Sequence, residues 1–555
     1  MEGENNYWTS VWQRRLSRRQ TLTLAGKVGM GLAGATLLGC AAAPAPTQAP
    51  SAGTPRVTPA AQPTPTAAKP VYGGTLIHAI GSNMTEDPGI SIGGGYDQVT
   101  VYHLYNTLLH LSKKITLEPE LALSWENPDK TTFIYKLRKG VKFHDGADFN
   151  AQAVKANFDR LIDKDFTGTA ASEARNNIKA MEVVDEATVK FTIKATNPEF
   201  AANVLAGTSG GIVSPQAPAK SNNDLRQRGV GSGPFQAAEW SMDSHITMKK
   251  FPGYWDTGLP YLDQITWKIT PDGTVRMTTL RTGDVQFIMD VEVKDIANLQ
   301  ADPNVTVVVE PGVKRNVVHF NMRKEPFSKK AARQAVAYAV DRQAISDAVY
   351  KGIFKPAEGI YPPTSWAHDP TIKNYPYDLQ KAKEKLAEAG YPNGFEFKAV
   401  VASARPDEVQ TSEIIKDQLA KVGIKMTFSI HDQPTVLDIW QKDIEKTDAI
   451  VTSAGHAMEP IRLIDRYYTK NGSYANIKVD FPELEALVAK AKETYDLEEQ
   501  RRYLNQADRL VTENVWAEWA WVYEAKIFAF RKNVMNYEHG PHPFHARFRK
   551  VWLAK

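Results

Sequence analysis

The chain predicts an α/β fold built from two or more lobes, on three observations. Its 555 residues exceed the length at which a single hydrophobic core stops growing, so more than one core is expected. Segments that alternate apolar and polar residues with period two, such as Thr132–Leu137, Val189–Ile193 and Ile265–Ile269, are interleaved with segments of helical period. From Phe397 to Ile430 the order is an apolar run, an amphipathic stretch over 407–421, Gly423 and a second apolar run. That is the pattern of a βαβ unit, for which a right-handed crossover is expected. Hydrophobic residues at 42% and charged residues at 23% fit a globular body and exclude a polytopic membrane protein.

At the N-terminus, Ser17-Arg18-Arg19-Gln20-Thr21-Leu22 leads into a Gly- and Ala-rich apolar run ending at Gly39, so residues 1–39 have the shape of an export signal. The paired arginines resemble a Tat signal. Thr21 stands where that motif favours Phe and Lys27 interrupts the run, which leaves Tat and Sec export both open. Leu37-Leu38-Gly39-Cys40 looks like a bacterial lipobox placed on the one cysteine of the chain, predicting that Cys40 carries a lipid and becomes the mature N-terminus. The competing reading is a membrane helix with an incidental cysteine, and Lys27 and the glycines make it a poor span. Residues 41–70 hold eight prolines among Ala and Thr, a composition that favours extended polyproline II conformation. At about 3.1 Å per residue this linker, 40–70 with the lipidated Cys, reaches up to roughly 90 Å. The protein is therefore expected to be exported and anchored to the outer face of the cytoplasmic membrane, periplasmic or extracellular. A single cysteine leaves the body without disulfides, thiolate metal sites or a cysteine nucleophile. Arg14, Arg15, Arg18, Arg19 and Lys27 against Glu2 and Glu4 account for +3 of the net charge of +4, so the near-neutral body has no electrostatic footprint for nucleic acid.

Within the body, Asn150 is placed to cap a helix on which Val154, Phe158, Leu161 and Ile162 recur at helical spacing. Asp341 is placed to cap another that presents Ile345, Ala348 and Val349 before Gly352. Four ordered blocks surround these elements: Gly140-Val-Lys-Phe-His-Asp-Gly146 with Asn157-Phe-Asp-Arg160; Gly231-Ser-Gly-Pro-Phe235 with Trp240 and Pro252-Gly-Tyr-Trp255; Arg281-Thr-Gly-Asp284; and Val318-His-Phe-Asn-Met322, Pro326-Phe327, Arg333-Gln-Ala335 and Tyr338-Ala-Val-Asp-Arg342. In this order and spacing they resemble the family 5 extracellular solute-binding proteins of ABC transporters, over nearly the whole chain from Gly73 on.

None of the blocks reads as catalytic. Asp145 beside Gly146 suits a tight turn, and His144, with no partner at metal-ligand spacing, reads as structural. Gly231 and Gly233 allow close backbone approach or positive φ and lack the third glycine of a dinucleotide fingerprint. The 333–342 stretch reads as a helix with one packed face. Gly207-Thr-Ser-Gly-Gly211 fits the G-x-S-x-G string of hydrolases, but what precedes it reads as helical or irregular and Ile212-Val213 reads as a strand, the reverse of a nucleophile elbow. Ser209 is thus expected in a flexible turn, and the protein is expected not to be an enzyme. Trp516, Trp519 and Trp521 read as lobe core or hinge.

The resemblance implies a two-lobed, Venus-flytrap α/β fold with an inserted subdomain in the first lobe. The implied boundaries are 71–95, 210–308 and 515–555 for lobe I, 96–209 for the subdomain (domain II) and 309–514 for lobe II (domain III). Hinge strands are expected near Val309–Phe320 and Trp516–Tyr523, with a ligand captured as the lobes close. In peptide-binding relatives a segment resembling 453–460 carries an aspartate for the peptide's α-amino group. Here Ala454-Gly455 and Glu459-Pro460 are kept, no aspartate lies between, and His456 falls where relatives often place Trp. Glu459 is the carboxylate available to replace the aspartate, and His456 is a candidate contact to ligand or chelate, with a satisfied loop histidine as the alternative. Further ligand-binding candidates are Tyr96 and Asp97 after Gly93-Gly-Gly95, Trp366 after Pro362-Pro363, and Arg405 after the strand ending at Ala402. Aromatic platforms and a guanidinium suit zwitterionic or carboxylate ligands. The implied role is the substrate-binding component of an ABC importer, expected to act as a monomer without cofactor or metal and to deliver a small ligand, foremost a peptide, to the permease and its ATPase subunits. Oligosaccharides, opines and metal chelates stay open as ligands, as does a sensory lipoprotein on the same scaffold.

Overall fold

The computed structural model describes residues 69–555 apart from 91–95, 113–114, 221–222, 404–405, 455–458, 471, 473–477 and 541–545. Cys40, Arg405 and His456 lie outside the described residues. Strand β1 (Thr75–Ile80) opens the large sheet. The chain then leaves it to build a four-stranded antiparallel sheet from β2 (Ala122–Asp129), β3 (Thr132–Leu137), β4 (Ile178–Asp185) and β5 (Thr188–Ile193), ordered β2-β3-β5-β4. It returns with β6 (Phe235–Ser241), β7 (His245–Lys250), β8 (Gln264–Ile269) and β9 (Phe287–Met289), and continues with β10 (Val305–Phe320), β11 (Glu396–Ala402), β12 (Lys425–His431), β13 (Ala449–Ala454) and β14 (Glu518–Arg531). The large sheet has eleven strands, in the order β12-β11-β13-β10-β14-β9-β1-β8-β7-β6, with the short Lys355–Pro356 pairing β14 off this path.

The helices that matter for the site are α1 (Asp97–Leu104), α2 (Ala151–Ile162), α3 (Thr169–Asn177), α4 (Lys330–Ala339), α5 (Arg342–Tyr350), α6 (Pro406–Ala420) and α7 (Pro460–Tyr468). Asn150 and Asp341 cap α2 and α5 through the backbone N–H of Ala153 and Ala344, at 2.9 Å each. The 333–342 stretch is two helices, because the backbone turns extended at Val340 and Asp341. On α5 the buried residues are Ile345, Ser346 and Tyr350, while Ala348 is exposed. The βαβ unit forms as expected: β11 and β12 pair in parallel around α6. Ile212-Val213 is not a strand; the Ile212 N–H bonds Asn106 O at 3.1 Å in an irregular segment.

Two long strands, β10 and β14, run through the middle of the large sheet. The Val305–Pro311 half of β10 pairs with Arg531–Ala525, and beyond a register shift between Pro311 and Arg315 its second half pairs with Tyr523–Glu518. β9, β1, β8, β7 and β6 follow on one side, and β13, β11 and β12 on the other. Gly312 sits in the shift, where an added Cβ meets Glu524 O at 2.6 Å, so only a bare backbone fits there. One core gathers around Leu76, Phe235, Trp267 and Phe548. Another gathers around Trp440, Tyr468 and Leu504. A third runs along the sheet from Ala79 through Val318 and Phe397 to Trp521.

The ordered blocks hold this frame together. His144 accepts from Gly231 N–H at 3.3 Å through Nδ1 and bonds Gly233 O at 3.0 Å through Nε2, and burial lowers its pKa to about 4. Gly231 and Gly233 press on helix α1: an added Cβ lies 2.1 Å from Leu104 O at the first and 2.3 Å from His103 O at the second. Asp145 accepts from Ala147 N–H and Ser214 Oγ.

Candidate functional site

Glu459 precedes Pro460, which occupies the first turn of α7 as its fixed φ favours. This puts a buried carboxyl at the helix entrance, 8% exposed. The Asn203 side-chain amide, with its nitrogen facing the carboxylate, donates to both Glu459 oxygens at 2.9 and 3.2 Å, and Arg462 Nη1 stands 3.9 Å away. Asn203 belongs to a short helical turn, Ala201–Leu205, in the segment inserted between β1 and β6. The same segment supplies Glu199, whose carboxyl accepts from the N–H groups of Ile461 at 2.8 Å and Arg462 at 2.9 Å. A side chain from one part of the fold therefore caps a helix of the other. Burial is the largest influence on Glu199 and Glu459 adds to it; against the two N–H bonds they push its pKa up to about 8.

Arg462 completes the junction with two bonds to Glu173 Oε1 from Nε and Nη2, at 3.0 and 2.7 Å. Farther along, Lys130 Nζ bonds Glu493 O at 3.1 Å and Tyr495 Oη donates to Lys130 O at 2.9 Å. A polar cavity of about 530 Å³ opens beside this junction, lined by Glu173, Lys194, Asn203, Arg462, Asp465 and Lys492 among others.

Tyr102 of α1 lies within electrostatic reach of Glu459. Burial pushes its phenol up to about 12, with Arg547 opposing the rise and Glu459 and Glu120 adding to it. The Arg547 guanidinium lies over the Tyr102 ring at 4.5 Å.

The sequence candidates separate in space. Tyr96 stands at the N-cap of α1, and its hydroxyl donates to Asp290 Oδ2 at 2.6 Å while its ring packs on the core around Trp267. Burial, then Asp290, raise its pKa well above the phenol range. Asp97 opens α1. Trp366 packs on the core around Tyr468, and its carbonyl accepts from Arg501 Nε at 3.0 Å. Glu459 is joined by Asn203 and Arg462, with Glu199 on the same helix entrance and Tyr102 within its electrostatic reach, none of which the sequence singled out. Asn197-Pro198 just before Glu199 marks a turn, and nothing in the sequence ties that turn to α7. Ser209 is buried, and its hydroxyl donates to Asn203 O at 3.1 Å and Val204 O at 3.3 Å. It lies in a packed helical turn, where a flexible one was expected, and its proton is committed to the segment that positions Asn203.

Residues 116–475 match the model of the bacterial extracellular solute-binding proteins, family 5. The chain belongs to this family. A glutathione-binding protein, GsiB, of Salmonella choleraesuis is 32% identical over 479 residues, covering 83% of this chain and 91% of the relative. Among solved structures, the ABC transporter-associated periplasmic binding protein DppA of Helicobacter pylori, in complex with the peptide STSA, superposes with a TM-score of 0.77 at 26% identity. It is covered to 99%, against 87% of this chain. AgaA of A. tumefacien R10, in complex with agropinic acid, gives a TM-score of 0.75 at 27% identity, with coverage of 99% of AgaA and 87% of this chain. As a family 5 protein the chain has the two-lobed periplasmic-binding-protein fold and serves an ABC transporter by binding solute outside the cytoplasm. The family works in transport, not catalysis, in keeping with the buried Ser209 hydroxyl.

Proposed function

We propose that this family 5 protein is a lipid-anchored receptor for a small peptide-like zwitterion of about glutathione's size, which it holds between its lobes and passes, as a monomer, to an ABC permease and its ATPase subunits. The supporting observation is Glu459: a buried carboxyl at the entrance of α7, oriented by Asn203 and Arg462. A buried ammonium needs such an acceptor. The glutathione-binding relatives and the peptide held by DppA point to the same ligand chemistry. In this reading lobe I comprises 71–95, 210–308 and 515–555, the subdomain 96–209 and lobe II 309–514. Tyr96, Asp97 and Trp366 are then further candidate ligand contacts, and Arg405 and His456, proposed from the sequence, lie outside the described residues.

A thermal-shift screen of the soluble body against glutathione, di- to pentapeptides, oligosaccharides and metal chelates tests it. Ligand at 100 times its Kd adds about 2.7 kcal/mol to native stability. Stabilisation by glutathione or peptides that Glu459→Gln abolishes is the expected result; stabilisation by sugars or chelates alone overturns it. The agropinic acid held by AgaA favours an opine as the second reading, so opines belong in the same screen. Anchoring is tested by intact mass analysis of protein extracted from cells: a lipidated Cys40 N-terminus is expected, and an unmodified thiol there contradicts it.

A further inference from the structure

The polar cavity of about 530 Å³ beside Arg462 falls within the size range of small-molecule sites. One wall is the inserted segment, from α3 and the stretch 194–197 that follows β5. The other is α7 together with the helix Pro482–Glu493, which brings Lys492. Four cationic side chains line the cavity, Lys194, Arg462, Arg466 and Lys492, against the carboxyls of Glu173, Asp465 and Glu199. Amide and hydroxyl side chains supply most of the remaining lining, so the cavity suits a polar ligand.

Its charged carboxyls are already matched. Arg462 gives Glu173 two bonds, and Lys492 Nζ stands 2.9 Å from Asp465 Oδ2. Glu199 takes the N–H groups of Ile461 and Arg462, and with its pKa at about 8 it is largely uncharged at neutral pH. The cations therefore outnumber the charged carboxyls, and they still do when Glu199 ionises. Lys194 is an excess charge fixed in place. Its N–H donates to Asn177 O at 2.8 Å and its Nζ to Arg175 O at 2.6 Å, both carbonyls that the last turn of α3 leaves open. It makes no ion pair among the described residues, and the bond to Arg175 uses one of the three donors of an ammonium.

We propose that this cavity is a second binding site, separate from the peptide cleft, for a small anion of two or more charges of the polycarboxylate or phosphate type. The excess of cations selects the sign of the ligand, and a half-enclosed polar cavity focuses that field. Cations on both walls select an anion with several oxygens, since a single carboxylate satisfies one wall alone. Bound there, the anion joins Lys194 of the inserted segment to Lys492 of the opposite wall and adds to the Glu173–Arg462 contact. The site does not depend on the peptide reading, because its ligand carries no ammonium for Glu459.

The test is calorimetric titration of the whole chain with citrate and, separately, with inorganic phosphate. Chloride holds the ionic strength at about 0.15 M, where exposed charges are screened beyond roughly 8 Å. Saturable one-to-one binding of at least one probe is expected, and which one binds tells polycarboxylate from phosphate chemistry. Binding of neither overturns the site. Lys194→Gln is expected to weaken the probe by about tenfold, with Lys194→Arg retaining most of the affinity. Lys268→Gln, which removes the same charge from an exposed position on β8, is expected to change nothing. A Lys194 that only caps α3 would lower the melting temperature in Lys194→Gln and leave the anion untouched, which overturns the site. Equal weakening in Lys268→Gln would mean diffuse charge attraction and overturns it too. Ala195→Glu sets a carboxylate at an exposed lining position and removes no side-chain bond. It is expected to abolish anion binding while keeping the melting temperature of the anion-free protein and its response to the ligand from the thermal screen. Anion binding that survives Ala195→Glu places the anion elsewhere. Loss of the screened ligand together with the anion makes the cavity part of the peptide cleft; either result overturns a second site.

Discussion

Arg315 and Glu518 lie on neighbouring strands β10 and β14, just past the register shift, with side chains 0% and 2% exposed. Arg315 Nε donates to Glu518 Oε1 at 2.7 Å, Arg315 Nη2 meets Tyr468 Oη at 2.7 Å, and Tyr468 also bonds Glu518. His319 Nδ1 stands 3.3 Å from the second carboxylate oxygen. Burial disfavours both charges, yet Glu518 keeps its pKa below the ordinary value because Arg315 and His319 face it. The pair supplies little net stability over an apolar core, while breaking it strands a buried charge. Arg315→Met is therefore expected to destabilise the protein by about 3–5 kcal/mol. The double variant Arg315→Met, Glu518→Leu should recover most of that loss. Urea unfolding of the wild type, both single variants and the double variant checks the cycle; additive losses would show that the pair is not coupled.

Helix α7 shows what an element owes to another part of the chain. Its first N–H groups have no partner within the helix, and Glu199 takes two of them. In the unfolded chain Glu199 titrates as an ordinary carboxyl near pH 4.5, and in the folded protein near 8. Between those values the folded state holds the extra proton, so this group's contribution falls as pH rises through the window and levels off above it. The groups facing it are Glu459, which strengthens the effect, and Arg462 with the two N–H donors, which oppose it. Glu199→Gln, a neutral stand-in, is expected to flatten the stability profile between about pH 5 and 8; a profile as steep as the wild type's would remove Glu199 as the source. Periodicity and capping residues made β3, β5, β8, α2 and the β11-α6-β12 unit legible, because these signals are local and their partners lie close in sequence. The cap on α7 comes from 262 positions away, and Arg547 reaches Tyr102 from the far end of the chain. Such contacts leave no local signature, so the sequence pointed to Glu459 and to none of its neighbours. The 333–342 helix was misread for a related reason: its apolar spacing continues through the extended Val340 and Asp341, where the Asp341 cap starts a new helix.

Across the whole molecule, under the proposed lobe boundaries the lobes share one sheet through β10 and β14, and Glu173, Lys130 and Asn203 of the inserted segment make a second set of contacts to Arg462, the Glu493 carbonyl and Glu459. Rotation about strands that break register at Pro311–Arg315 would separate those second contacts and spare the first. They belong, on this argument, to the closed form alone. Entry of ligand into an open cleft does not use them, so they should slow release without speeding capture. Their worth is bounded by exposure. Arg462 and Glu173 are 28% and 30% exposed, and partly solvated pairs of this kind contribute about 1 kcal/mol at most, or roughly a fivefold change in rate. Glu173→Gln is therefore expected to raise the ligand dissociation rate by up to about fivefold with an unchanged association rate, measured by stopped-flow with the tightest ligand from the thermal screen. Small-angle scattering should show the wild type contracting when that ligand is added, since closure brings the lobes' centres together. A lower association rate with unchanged dissociation would mean that the contacts are already formed in the ligand-free protein, and the hinge between Pro311 and Arg315 would then not be what governs capture.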